Sequence, residues 1–161
     1  MKTLIVCYSL TGNAAMAADM LHQQSGAEVL RLHPEIEPPK RGIGKMLKGG
    51  AQALRKKDPK LAPVDTVLAE YDRLVFVSPV WAGLCPPAIP ALLRQQPVEG
   101  KTFFIVACSA GGNADKLFTQ LSDLLPGNTL VDTLSLVNPL HNRAQTLEKL
   151  TAFCEKHQLS C

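Results

Sequence analysis

Five apolar runs rich in β-branched residues recur along the chain, at Thr3–Tyr8, Ala27–Leu32, Arg73–Ser78, Thr102–Cys108 and Thr129–Val137. The first, third and fourth are nearly continuous in aliphatics, the pattern of strands covered on both faces. Helical spacing fills the intervals. Ala14, Ala17, Ala18 and Leu21 fall at i, i+3, i+4 and i+7, and Ser25-Gly26 stops that helix. Ile89, Leu92 and Leu93 mark a short helix after Pro86-Pro87. Leu117, Leu121 and Leu124 mark another, ended by Pro126-Gly127, and Ala144, Leu147, Leu150 and Cys154 mark a last one with Asn142 as its cap. Strands alternating with helices predict an α/β fold: a doubly wound, mostly parallel sheet of five strands with helices on both faces. Periodicity leaves the strand order open.

The length changes the picture little: 161 residues suit a single domain, 1–161, with one sizeable core. Apolar content of 46% excludes a disordered chain. The most apolar region, Leu74 to Leu93, is broken by Pro79, Pro86, Pro87 and Pro90, so no membrane span is expected. No charged-then-apolar leader with a cleavage site precedes the first strand. The five cysteines (Cys7, Cys85, Cys108, Cys154 and Cys161) show no C-x-x-C or zinc-type spacing and read as free thiols of a reducing compartment. A cytoplasmic protein with no metal site is expected.

The candidate chemistry lies in three segments that each follow a strand. In a sheet of this kind ligands sit beyond the carboxyl ends of the strands, where the winding reverses. Ser9-Leu10-Thr11-Gly12-Asn13 offers hydroxyls, unpaired backbone N–H groups and the positive end of the helix that starts near Asn13. No Lys or Arg lies between Thr3 and Leu30, so an anion there would be held by neutral donors, unlike the lysine-bearing P-loop. The same composition would also serve ordinary helix capping. Ser78-Pro79-Val80-Trp81-Ala82-Gly83 carries the only tryptophan, on a loop where it could lie against a flat ring or simply cap the sheet. Ser109-Ala110-Gly111-Gly112-Asn113 lets backbone approach a ligand closely, or forms a plain turn with Asn113 as helix cap. Together the three agree on a mononucleotide with a planar ring.

On these residues the chain resembles the flavodoxin family. Ser9-Leu10-Thr11-Gly12-Asn13-Ala14 matches that family's [ST]-x-T-G-x-T phosphate loop except at Ala14, where a hydroxyl is usual, and the likeness runs over essentially the whole chain. The resemblance implies a sheet order of 2-1-3-4-5 with FMN at the switch between the first and third strands, flavodoxin being the standard instance of that arrangement. It implies phosphate contacts from Ser9, Leu10, Thr11, Gly12 and Asn13, with only the backbone N–H of Ala14. It implies ring contacts from Pro79, Val80, Trp81, Ala82 and Gly83, and more loosely from Ser109, Ala110, Gly111 and Gly112. The missing hydroxyl lowers the expected FMN affinity, since one hydrogen bond to a charged group contributes about 1.5–3 kcal/mol.

Charge separates this chain from the acidic electron carriers it resembles. The overall charge is +3, yet Lys40 to Lys60 holds eight Lys and Arg against Asp58 alone, a net of +7, leaving −4 elsewhere. That segment reads as a proline-rich approach and a helix around Ile43–Lys57, either a solvated face or a docking surface for an acidic partner or a nicotinamide donor's phosphates. It lacks aromatics to stack bases, which argues against nucleic acid. Cys85, two residues past Gly83, would be a redox thiol near the ring if its pKa were low. Ser109, Asp132 and His141 follow the chain order of a hydrolase triad, with Ala107-Cys108-Ser109-Ala110-Gly111 as an elbow variant. The expected function is an FMN redox protein with no catalytic residue of its own, the flavin supplying the chemistry. The alternatives are an FMN-dependent NAD(P)H:quinone-type oxidoreductase and a flavin-free binding module. Its partner would be a redox protein or a small-molecule acceptor, and the protein a monomer or weak dimer.

Overall fold

The computed structural model describes residues 1–37 and 58–159. The expected helix around Ile43–Lys57, and most of the basic segment, lie outside the described residues. Five strands form one sheet: β1 (Thr3–Cys7), β2 (Glu28–Arg31), β3 (Arg73–Pro79), β4 (Thr102–Ser109) and β5 (Thr129–Val137). Their order is β2-β1-β3-β4-β5, and every neighbouring pair is parallel. Among the described residues four α-helices connect or follow them: α1 (Asn13–Ser25), α2 (Ala88–Gln95), α3 (Asp115–Asp123) and α4 (Arg143–His157).

The order explains the hydrophobic pattern. The three aliphatic-rich strands β1, β3 and β4 occupy the centre, where both faces are covered. Strand alternation then sends Leu4, Val6, Leu74, Phe76, Phe103 and Ile105 into one core with α2 and α3. Ile5, Cys7, Val75, Val77, Phe104 and Val106 enter the other with α1 and α4. The edge strands are less demanding, and β2 keeps Glu28 and Arg31 exposed. On the opposite edge, β4 and β5 slip by one residue between Phe103 and Phe104, so that Val131 stands as an extra, exposed residue.

Chain reversals follow the expected chemistry. Gly26, at φ 69°, ends α1 and returns its N–H to the His22 carbonyl at 2.8 Å. Asn142 precedes α4 as expected, but its side-chain amide donates to the Val137 carbonyl (2.9 Å) instead of capping the helix. Before and after the undescribed residues the chain is stitched to itself. Glu35 N–H donates to the Lys60 carbonyl (2.8 Å) and Ala62 N–H to the His33 carbonyl (2.7 Å).

Parallel pairing also decides what meets at the ligand edge. All five strands point the same way, so the segments following β1, β3, β4 and β5 emerge together. The first and third strands are adjacent although not consecutive, which makes their junction the switch point.

Candidate functional site

The turn after β1 is built around Gly12. Its φ of 103° suits only glycine, and it carries the chain from the strand into α1. Ser9 Oγ accepts the Gly12 N–H at 3.1 Å, which folds the turn and leaves the Ser9 hydroxyl proton free to donate outward. The first turn of α1 has no carbonyl ahead of it, and the N–H groups of Thr11, Asn13 and Ala14 find no acceptor among the described residues. Thr11 is exposed, whereas the Leu10 side chain is buried in the core beside Tyr8 and leaves only its backbone at the site. Ala14 is buried. The turn is thus a concentration of unpaired donors at a helix N-terminus, without a cation of its own.

After β4 the design recurs. Ser109 Oγ accepts the Gly112 N–H at 2.8 Å, and Gly112 holds φ 80°. A Cβ there would meet Val137 Cγ2 at 3.2 Å, so glycine is needed for space as well as conformation, while Gly111 borders open space. Ala110 and Gly111 are exposed at the tip.

After β3 the chain makes a tight reversal. Val80 N–H still reaches the Cys108 carbonyl (3.1 Å), and Trp81 and Leu84 exchange both backbone hydrogen bonds at 2.8 and 2.9 Å. Between them Ala82 (φ 48°) and Gly83 (φ 83°) both sit at positive φ, as a two-residue reversal of the I′ kind demands. Ala82 is exposed at the tip, and Pro79 and Val80 are half-buried. Trp81 is half-buried too, and meets Tyr8 edge-to-face with centroids 5.7 Å apart. It therefore packs against the end of the sheet and keeps part of its indole exposed at the site. Tyr8 itself donates to Glu37 Oε2 at 3.1 Å, and burial together with that carboxylate pushes its hydroxyl pKa up, which keeps it a proton donor.

The residues 2–157 match the sequence profile of the flavodoxin family. The chain belongs to that family. No curated protein sequence matches it. Among solved structures this flavodoxin-family chain is similar to a candidate flavoprotein from Bacteroides uniformis ATCC 8492, at 21% identity over 96% of this chain and 97% of that one, with a TM-score of 0.80. It is also similar to a flavoprotein from Lactobacillus acidophilus NCFM in complex with FMN (19% identity, 89% and 97% coverage, TM-score 0.70). A third is the Fusobacterium nucleatum flavodoxin bound to flavin mononucleotide (13% identity, 98% of both chains, TM-score 0.62). At such identities the likeness speaks for the fold.

Two chemical readings of the sequence fall. Cys85 is no activated thiol: it is buried, its Sγ lies 3.4 Å from the buried Ser78 hydroxyl, and burial pushes its pKa up to about 12. Nor do Ser109, Asp132 and His141 assemble a hydrolase triad. Ser109 pairs with Val137 across the sheet, and Asp132 lies five residues back along β5, about 17 Å at strand rise. Asp132 is held instead by Lys156 and His157, both at 2.7 Å.

Leu140 N–H donates to Asn13 Oδ1 (3.0 Å), and the Leu140 side chain reaches within 3.5 Å of where a Gly12 Cβ would stand. This apolar residue walls the anion turn and occupies the Asn13 amide oxygen. Only its position after a strand could have pointed to it. His141, in the same loop, is exposed. Among the described residues no helix is long and apolar enough to cross a membrane, and no cluster of His, Cys, Asp and Glu could hold a metal.

Proposed function

We propose that this flavodoxin-family protein binds FMN across the ends of β1, β3 and β4 and carries electrons by cycling its flavin. The observation that carries the reading is the Ser9–Ala14 turn. Gly12 at φ 103° and Ser9 Oγ hold it in shape, and among the described residues the N–H groups of Thr11, Asn13 and Ala14 have no acceptor. That donor set fits a phosphate monoester, whose oxygens accept several N–H bonds at a helix N-terminus. The phosphate-bearing, flat-ringed ligand named with two of the similar structures, FMN, fits the rest of the edge. The half-buried Trp81 indole offers a stacking surface, and the exposed tips of the Trp81–Leu84 and Ser109–Gly112 turns offer backbone polar groups.

When bound, FMN supplies the one- and two-electron chemistry. The chain positions and insulates. Leu140 and Leu10 close the apolar sides of the phosphate turn, Trp81 offers a plane for the ring, and the raised Tyr8 pKa keeps that hydroxyl neutral where it donates to Glu37. No side chain in this set is a nucleophile or a neutral-pH base, which favours carriage of electrons over bond-making chemistry by the protein.

The test is titration of apoprotein into FMN. Flavin fluorescence should be quenched with micromolar or tighter affinity, and riboflavin should bind more weakly because the phosphate turn goes unused. Trp81→Ala should weaken FMN by about 1–3 kcal/mol, the range of aromatic stacking on a planar base, with the fold retained. Absence of quenching and of any spectral shift at saturating FMN would leave a flavin-free binding module. Rapid NAD(P)H oxidation by the loaded protein with a quinone would establish the oxidoreductase alternative.

A further inference from the structure

The ring-binding turn of the reading above is not free-standing. Helix α3 carries Lys116 and Gln120 one turn apart, at i and i+4, and both side chains reach that turn. Gln120 Oε1 accepts the Cys85 N–H at 2.8 Å, just beyond the Trp81–Leu84 reversal. The Lys116 stem lies on Gly83 itself: Cδ is 3.4 Å, and Cβ 3.9 Å, from where a Gly83 Cβ would stand. Only Cε and Nζ follow Cδ, about 2.5 Å of covalent reach, so the ammonium lies within about 6 Å of that point. Among the described residues no carboxylate lies within ion-pair distance of Lys116. Glycine at position 83 serves its positive φ, with the lysine stem at van der Waals distance beside it.

We propose that Lys116 raises the flavin's reduction potential by placing a positive charge at the turn assigned to the ring. The proposal rests on the FMN reading. Two electrons and one proton, the proton bonded at N5, leave the ring with one more negative charge than before. A nearby cation favours the charged form over the uncharged one, and because Lys116 is exposed the effect is screened by salt. Charge near the ring is among the means by which a protein tunes a flavin. Here the tuning charge is basic and comes from a helix packed behind the turn, not from the turn itself.

The experiment compares wild-type FMN-loaded protein with Lys116→Gln, Lys116→Arg and Lys116→Glu, by reductive titration with dithionite against a reference dye, at low and at high salt. Glutamine keeps the stem through Cδ, and so the contact with Gly83, while removing the charge. The expected order of two-electron potential is Arg equal to Lys, then Gln, then Glu. The Lys-to-Gln step should be about tenfold in the reduction equilibrium, which is about 30 mV for two electrons, and should shrink at high salt. Melting temperatures of the apoproteins should coincide for Lys, Arg and Gln. Potentials that do not follow charge, with FMN still bound, would overturn the role of Lys116. Equal losses of FMN affinity and melting temperature in all three variants would also overturn it, leaving the stem as mere packing. Failure of the wild type to bind FMN would instead remove the parent reading.

Discussion

Gly12 and Ala82 both hold positive φ, at 103° and 48°, on the two turns that frame the site. Gly12 adopts it at no steric cost, whereas Ala82 bears a left-handed conformation that costs an L-residue about 1–2 kcal/mol. The Trp81–Leu84 hydrogen-bond pair holds that strain in place at the exposed tip. Asp132 shows the same economy away from the site. Its hydrogen bond from Lys156 comes first, with His157 and the Thr133 N–H adding to it, and together they hold its pKa down to about 2, against a partial opposing effect of burial. A depressed carboxylate stabilises the fold above its unfolded pKa and loses that stabilisation as pH falls through the folded one. Asp132→Asn should therefore lower the denaturation midpoint at neutral pH, and the gap from wild type should close between about pH 4 and pH 2. Because the Lys156 side chain is 67% exposed, the difference should be roughly 1 kcal/mol or less. Urea titrations of both proteins across that pH range would check it.

At the scale of elements, the end of α4 is held by a residue the hydrophobic pattern gives no reason to single out. Arg73 opens β3, is buried, and donates from Nε to Thr3 Oγ1 at 2.9 Å. Its Nη1 reaches the carbonyls of Gln158 (3.1 Å) and His157 (3.4 Å) at the C-terminus of α4. A guanidinium there meets carbonyls that lack helical partners, at the negative end of the helix dipole. Hydrogen bonds to charged groups contribute roughly 1.5–3 kcal/mol. Arg73→Met, which keeps the apolar stem, should lose about that much stability and speed amide exchange in the last turn of α4. The opposite edge, and FMN affinity with it, should be unaffected. Loss of FMN binding at unchanged exchange would contradict this division between the two ends of the sheet.

Over the whole molecule, charge is the property that most distinguishes this chain. Lys40 to Lys60 carries a net +7 against −4 elsewhere, and such asymmetry acts on encounter rate and salt dependence more than on affinity. We propose that this basic segment favours acidic redox partners. Electron transfer with an acidic carrier should slow as the Debye length falls to about 8 Å at physiological salt. Reversing Arg55, Lys56 and Lys57 to Glu should reproduce that slowing at low salt without changing FMN affinity. Stopped-flow traces against acidic and basic carriers would measure both effects, and indifference to the reversal would return the segment to a solvated face.

The α/β alternation, the five strand positions and the turns that follow β1, β3 and β4 are legible in the chain because they depend on local causes. Short, β-branched aliphatic runs bounded by turn residues fit strands covered on both faces, and Gly12, Gly26 and Gly112 mark turns that need positive φ. The strand order followed from resemblance alone, since periodicity is the same whichever neighbours a strand takes. Tertiary structure decided what no local pattern encodes. It set Leu140 against Gly12 across 128 residues and put Lys116 on Gly83. It gave Asp132 to Lys156 and His157 and not to Ser109, and it buried Cys85 against Ser78. Leu140 meets Gly12, and Lys116 meets Gly83, because parallel strands bring the segments that follow them to one edge, whereas Asp132 meets the far end of α4 because that helix packs back along the sheet. Side-chain chemistry named the candidates, and the crossing of the chain selected among them.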